Sequence, residues 1–168
     1  MQHISTVEDF PEEIWEKVIS LNLSSAFYGT KYALPQMKER GWGRIINIAS
    51  VHGLVASVNK SAYVAAKHGI VGFTKAAALE NAKIGVTVNA ICPGFVLTPL
   101  IQKQIDIIRE KKGVSNEEAS NILISEKQPS ASFSVPADIG ALTTFLCTDN
   151  ARQITGAAYT VDGGWTAQ

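Results

Sequence analysis

Three short apolar runs, separated by helical stretches, constrain this chain more than any other feature. Arg44-Ile-Ile-Asn-Ile-Ala49, Val86-Thr-Val-Asn-Ala-Ile91 and Ala158-Tyr-Thr-Val161 are rich in β-branched residues and lack a regular polar alternation. A strand reads this way when both faces of its sheet are covered. Between the first two, Lys60 to about Ala82 is alanine-rich and helical; between the last two, Ala137 to Cys147 follows Pro136 as another helix. Such alternation predicts an α/β fold with a parallel sheet, right-handed crossovers and flanking helices. At the N-terminal end, Pro11 followed by Glu12 and Glu13 suits a helix start. Ile14, Val18, Leu21 and Ser25 then recur at helical spacing toward Arg40 and a stop at Gly41, and Pro35 should bend or shorten that end. Ile101 to Lys112 reads as a helix stopped by Gly113, and Ser115-x-x-Glu118 as a capping box opening the next. No linker or repeat interrupts residues 1–168, so a single domain is expected. Three strands are few, since sheets of this kind usually have about five or six.

Composition removes several function classes. Fifteen Lys+Arg balance 15 Asp+Glu, which argues against a nucleic-acid or anionic-membrane partner. With 46% hydrophobic and 18% charged residues the chain can build a core. No apolar run approaches the roughly 18 residues of a membrane span, and Met1 to Phe10 does not have the pattern of a signal peptide. A soluble, cytoplasmic protein is expected. Cys92 and Cys147 sit in apolar segments and are expected to be buried thiols, with no metal site.

The chemistry gathers around one helix. Ser50 lies just past the first predicted strand, where open α/β sheets place their ligands. Tyr63 and Lys67 follow on the next helix, one turn apart on one face. An ammonium so placed should lower the tyrosine pKa toward working pH. Such a tyrosine can act as acid or base on an alcohol or carbonyl, with the serine hydroxyl polarising the same oxygen. Tyr-x-x-x-Lys alone is an ordinary amphipathic pair; the spacing to Ser50 makes it specific.

With Leu21-Asn22-Leu23, Pro93-Gly94 and the closing Val161-Asp-Gly-Gly-Trp165, the chain closely resembles the short-chain dehydrogenase/reductase family. That resemblance implies the C-terminal part of a Rossmann-like doubly wound sheet, and hydride transfer between NAD and an alcohol or carbonyl. It implies Tyr63 as the acid/base, Ser50 on the substrate oxygen, and Lys67 on Tyr63 and the nicotinamide ribose. Asn22 would anchor a relay water, and Pro93, Gly94, Val96 and Thr98 would lie along the nicotinamide. The resemblance also implies a homo-oligomer, a tetramer in the intact family.

A narrower resemblance is carried by Gln2, Ser50-Val-His52-Gly-Leu-Val-Ala-Ser57, Lys60, Gln104 and Trp165. These look like the substrate-pocket residues of bacterial D-3-hydroxybutyrate dehydrogenases, which interconvert (R)-3-hydroxybutyrate and acetoacetate. A cation with amide and imidazole donors suits a small hydroxy acid bearing a carboxylate. Lys60, Tyr63 and Lys67 are expected on one helix face. Phe95 departs from the tryptophan those enzymes carry after Pro-Gly, keeping aromatic bulk without the indole N–H. Other 3-oxo or 3-hydroxy substrates, or a non-catalytic association remnant, are the alternatives.

The family's Gly-x-x-x-Gly-x-Gly turn, which seats the cofactor pyrophosphate at a helix N-terminus, occurs nowhere in these 168 residues. The resemblance is to the C-terminal two-thirds of a family member, with a lid at about 97–129. By itself the chain is expected not to turn over NAD with substrate, to bare one edge of its first strand, and to self-associate.

Overall fold

The computed structural model describes residues 1–167. Strands β1 (Gly43–Ile48), β2 (Val86–Pro93) and β3 (Ala158–Val161) form one parallel sheet in the order β1-β2-β3. Gly43 pairs with Val86 and Ile48 with Ile91, while Ala90 pairs with Ala158 and Pro93 with Val161. The apolar runs therefore end in register at one edge of the layer, and the segments that follow them meet there.

Both faces are covered. Helix α3 (Ser61–Asn81) lays Ile70, Val71, Ala77 and Ala78 against Ala49, Val88, Ala90 and Cys92. The alanines that make it a good helix former also let it approach the sheet closely. On the other face, helix α6 (Pro136–Leu146) packs Ile139, Leu142 and Leu146 against Ile46, Ile91 and Tyr159. A separate small core of Ile105, Ala119 and Leu123, with Phe95, Ile101 and Phe133, joins helices α4 (Pro99–Lys112) and α5 (Asn116–Ser125). Ser115 and Glu118 form the expected capping box.

The N-terminal helical stretch departs from expectation. It divides into α1 (Glu12–Ile19), a π-helical turn over Ser20–Ser24, and α2 (Ser25–Arg40). The irregularity thus lies well before Pro35, and α2 runs through that proline to Gly41. Pro35 is exposed, so the carbonyl it leaves without a helical partner can be hydrated. Cys147 is a second correction: it follows the last turn of α6 and is exposed, whereas Cys92, in the middle strand, is buried. A helix buries one stripe, and Leu146 occupies it. Neither thiol is in a disulfide, and the described residues hold no metal-ligating cluster. No described helix is long and apolar enough to cross a membrane.

Candidate active site

A cavity of about 170 Å³ opens beyond the C-terminal ends of β1 and β2. Ser50, His52, Lys60 and Tyr63 line it from the β1–α3 side, Gly94, Val96 and Thr98 from the β2–α4 loop. Gln2, Gln104 and Trp165 complete the polar and aromatic lining, with Val51, Phe95, Leu100 and Ile101 as apolar walls.

Local chemistry explains each placement. Chain direction changes after β1, and Ser50 caps the short 3₁₀ turn Val51–Gly53 by accepting the His52 backbone N–H at 3.2 Å. The turn buries His52, whose Nε2 lies 2.9 Å from Ser57 Oγ and Nδ1 3.5 Å from Ser50 Oγ. Both ring nitrogens thus face serine hydroxyls, and the imidazole packs edge-on against Tyr63 and Trp165. Burial, then the charges of Lys60, His68 and Lys127, lower its pKa to about 4, so the ring is neutral at pH 7.

Trp165 reaches the cavity because the chain reverses at Asp162-Gly-Gly. Gly163 (φ 56) and Gly164 (φ 90) adopt the left-handed region. The buried Asp162 carboxylate accepts N–H groups from Gly164 and Thr166 and the Thr166 hydroxyl, holding the reversal. The Phe95 ring packs 5.0 Å from that of Trp165. The β2–α4 loop is fixed at several points. Gly94 donates to Val161 O, Leu97 donates to Ser134 O, and Ser134 donates to Phe95 O. Gln128, 2% exposed, accepts the Phe95 N–H at 3.1 Å and donates to Ser132 O. A side chain at position 94 would collide with Gln128 and the Asp162 backbone, which accounts for the glycine.

Gln2 is brought in by its neighbours: Asn22 Nδ2 donates to Met1 O at 3.0 Å and Ser5 N–H donates to Asn59 O at 3.0 Å. Asn22 also donates to Val18 O, inside the π turn. It lines a separate space of about 270 Å³ with Lys67, Asn47 and Ile48. Lys67 therefore does not share the first cavity with Lys60 and Tyr63. Lys60 is the cap residue before α3, outside the helical repeat that would have aligned all three.

The expected lowering of the Tyr63 pKa is not found. Burial raises it, and a hydrogen bond with Ser50 opposes the rise. Lys67 Nζ donates to Ile48 O at 2.9 Å and lies 5.6 Å from the Tyr63 ring centre. Burial also lowers Lys67 itself to about 8. Its charge is directed at a backbone carbonyl, and desolvation of the phenol dominates. Lys60 is likewise lowered by burial.

A family model described as enoyl-(acyl carrier protein) reductase matches residues 2–166. The chain belongs to the short-chain dehydrogenase/reductase family. Over all 168 residues it is 59% identical to D-beta-hydroxybutyrate dehydrogenase of Cupriavidus necator and 53% identical to that of Rhizobium meliloti, spanning 65% of each relative's length. Among solved structures, an actinorhodin polyketide ketoreductase with NADPH superposes with a TM-score of 0.90 at 36% identity. A 4-hydroxyisoleucine dehydrogenase complexed with NADH superposes at 0.88 and 34% identity. All of this chain and 65% of each solved chain are covered. The sheet and its helices thus correspond to the C-terminal part of the family's Rossmann fold.

Outside the sequence reading stood Gln128, which fixes the loop carrying Phe95, and the pairing of Ser57 with His52. Gln128 lies in a polar, turn-rich stretch, and only the fold brings it beneath Gly94. Ser57 lies in the irregular segment before α3, where no helical or strand period ties it to His52.

Proposed function

We propose that this chain carries the catalytic and substrate-binding part of an NAD-dependent dehydrogenase interconverting (R)-3-hydroxybutyrate and acetoacetate. The observation that carries the reading is convergence: Gln2, Ser50, His52, Lys60, Tyr63, Gln104 and Trp165, spread over nearly the whole chain, line one cavity. Its volume of about 170 Å³ is below the roughly 300–1,000 Å³ typical of drug-sized sites, and suits a four-carbon acid. Identity of 53–59% to D-beta-hydroxybutyrate dehydrogenases supports the same choice.

In this mechanism Lys60, Gln2 and Gln104 hold the substrate carboxylate, with charge and amide donors fixing its orientation. Ser50 donates to the C3 oxygen, and Tyr63 removes the hydroxyl proton in oxidation or returns it in reduction. Trp165 and Phe95 exclude water from the apolar side. Asn22, beside Lys67, anchors the water that carries the proton away from Tyr63.

The residues present fit the nicotinamide end of the cofactor. Lys67 and Tyr63 offer donors to the ribose hydroxyls, and the Pro93, Gly94, Val96 and Thr98 loop is pinned beside the cavity. Bound there, NAD would supply the acceptor for the hydride leaving C3. Because no glycine turn for the pyrophosphate occurs among these 168 residues, which span 65% of the relatives' length, efficient turnover calls for a chain of the relatives' full length. We place that enzyme in the cytoplasm, in keeping with two free thiols. We expect it to self-associate as a tetramer through exposed Phe27, Tyr32 and Leu79 on α2 and α3.

The test joins this chain to the N-terminal segment of the Cupriavidus necator relative and follows NADH formation with a substrate panel. (R)-3-hydroxybutyrate should react fastest. A 3-hydroxyacyl thioester or cyclohexanol reacting faster would assign the chain to another substrate within the family, and no reaction with any of them would leave an association role.

A further inference from the structure

Ser50 Oγ has one proton to donate and two lone pairs with which to accept. One lone pair takes the His52 backbone N–H at 3.2 Å. In the reaction assigned above, that proton goes to the C3 oxygen of the substrate. With that proton committed, an unprotonated His52 Nδ1, 3.5 Å from Ser50 Oγ, would set lone pair against lone pair. The arrangement closes only if Nδ1 carries the hydrogen. In a neutral imidazole Nε2 is then an acceptor, and the hydroxyl beside it, 2.9 Å away, belongs to Ser57. With Ser50 donating to the substrate oxygen, one polarity satisfies the set: Ser57 O–H to Nε2, Nδ1–H to Ser50, Ser50 O–H into the cavity.

We propose that Ser57 acts through the His52 ring to fix the direction in which Ser50 donates, and so is a positioning residue for the oxidoreduction. The proposal rests on the reaction assigned above. Without the Ser57 hydroxyl, Nε2 loses its donor and the ring can carry its hydrogen there instead. Nδ1 then becomes an acceptor and competes with the substrate oxygen for the Ser50 proton. His52 thereby serves the site through Ser50 even though neither of its nitrogens points freely at a carboxylate.

The experiment reads the tautomer directly, by ¹⁵N NMR of the imidazole in this chain at neutral pH, with His52→Asn to assign the signals. Wild type should show the Nδ1–H form of His52. Ser57→Ala should shift it toward Nε2–H, and Ser57→Thr, which keeps a hydroxyl, should restore it. In the full-length fusion Ser57→Ala should lower kcat roughly 3- to 10-fold with KM little changed, the loss expected for one misdirected hydrogen bond. An Nε2–H ring in wild type, or a tautomer indifferent to Ser57→Ala, would overturn the proposal. The wild-type tautomer is decisive even if Ser57→Ala does not fold. Because the spectrum needs neither coenzyme nor turnover, its failure is distinct from failure of the proposed reaction.

Discussion

Replacing Gln128 with alanine should loosen the wall of the cavity and lower the stability of the whole chain. The side chain is 2% exposed and links two segments, accepting the Phe95 N–H at 3.1 Å and donating to the Ser132 carbonyl. Truncation leaves a part-buried N–H without its acceptor and removes a second bond. A buried polar group left unpaired costs about 1–3 kcal/mol. Ser132 is exposed and can turn to water, so its share is the smaller. The sum is about 2–4 kcal/mol, and for a chain of this size each kcal/mol shifts Tm by roughly 2–4 °C. A Tm lower by roughly 5–15 °C is expected in thermal unfolding followed by circular dichroism at fixed protein concentration. Gln128→Met keeps most of the volume and neither hydrogen bond, so it should lose nearly as much. A shift below about 2 °C for both variants would refute the reasoning and mean that the Phe95 loop is held by its other contacts.

Tyr63→Phe in the full-length fusion should reduce kcat by roughly 10²- to 10⁴-fold while leaving Tm nearly unchanged, because it removes the transferable proton and almost no volume; retention of most of the turnover would take Tyr63 out of the acid/base role. The folded pKa of His52, about 4, lies below its ordinary 6.5, so the unfolded chain binds this proton first. Its contribution to stability is present above about pH 6.5 and is lost as pH falls toward 4. Urea midpoints at pH 7.5 and 5 should show that loss, and His52→Gln should flatten it; an equal slope in the variant would assign the loss to other groups. Amide exchange without ligand should be faster in Ile101–Lys112 than in Ile45–Ile48, since α4 packs on a small separate core and β1 lies in the sheet. Equal protection would contradict a mobile lid.

The fold was legible where burial and periodicity coincide. The three apolar strands and α3 could be read because each makes long stretches of one kind of contact. The π turn at Ser20–Ser24 was not, since it arises where Asn22 bonds both Val18 O and Met1 O, a partner 21 residues away. Cys147 was misjudged because composition shows an apolar neighbourhood but not which side of α6 faces the sheet. In the site, residue types at the right intervals picked out Ser50 and Tyr63, and the narrower resemblance pointed to Lys60; all three line the cavity. Electrostatics were less legible: Lys67 is one turn from Tyr63 as spacing requires, yet its ammonium is drawn to Ile48 O and burial governs the phenol. Spacing along a helix fixes proximity; desolvation depends on everything packed around it.

Discrimination by Lys60 is the sharpest test that this cavity reads a carboxylate beside a secondary alcohol. In the full-length fusion, kcat/KM would be measured for (R)-3-hydroxybutyrate and for its uncharged methyl ester, in wild type and in Lys60→Met. A hydrogen bond to a charged group contributes about 1.5–3 kcal/mol, so the preference for the acid should fall roughly 10- to 100-fold in the variant, with the ester rate little affected. An unchanged preference, or an equal loss for acid and ester, would contradict the assignment of Lys60 and with it the hydroxy-acid reading of the site.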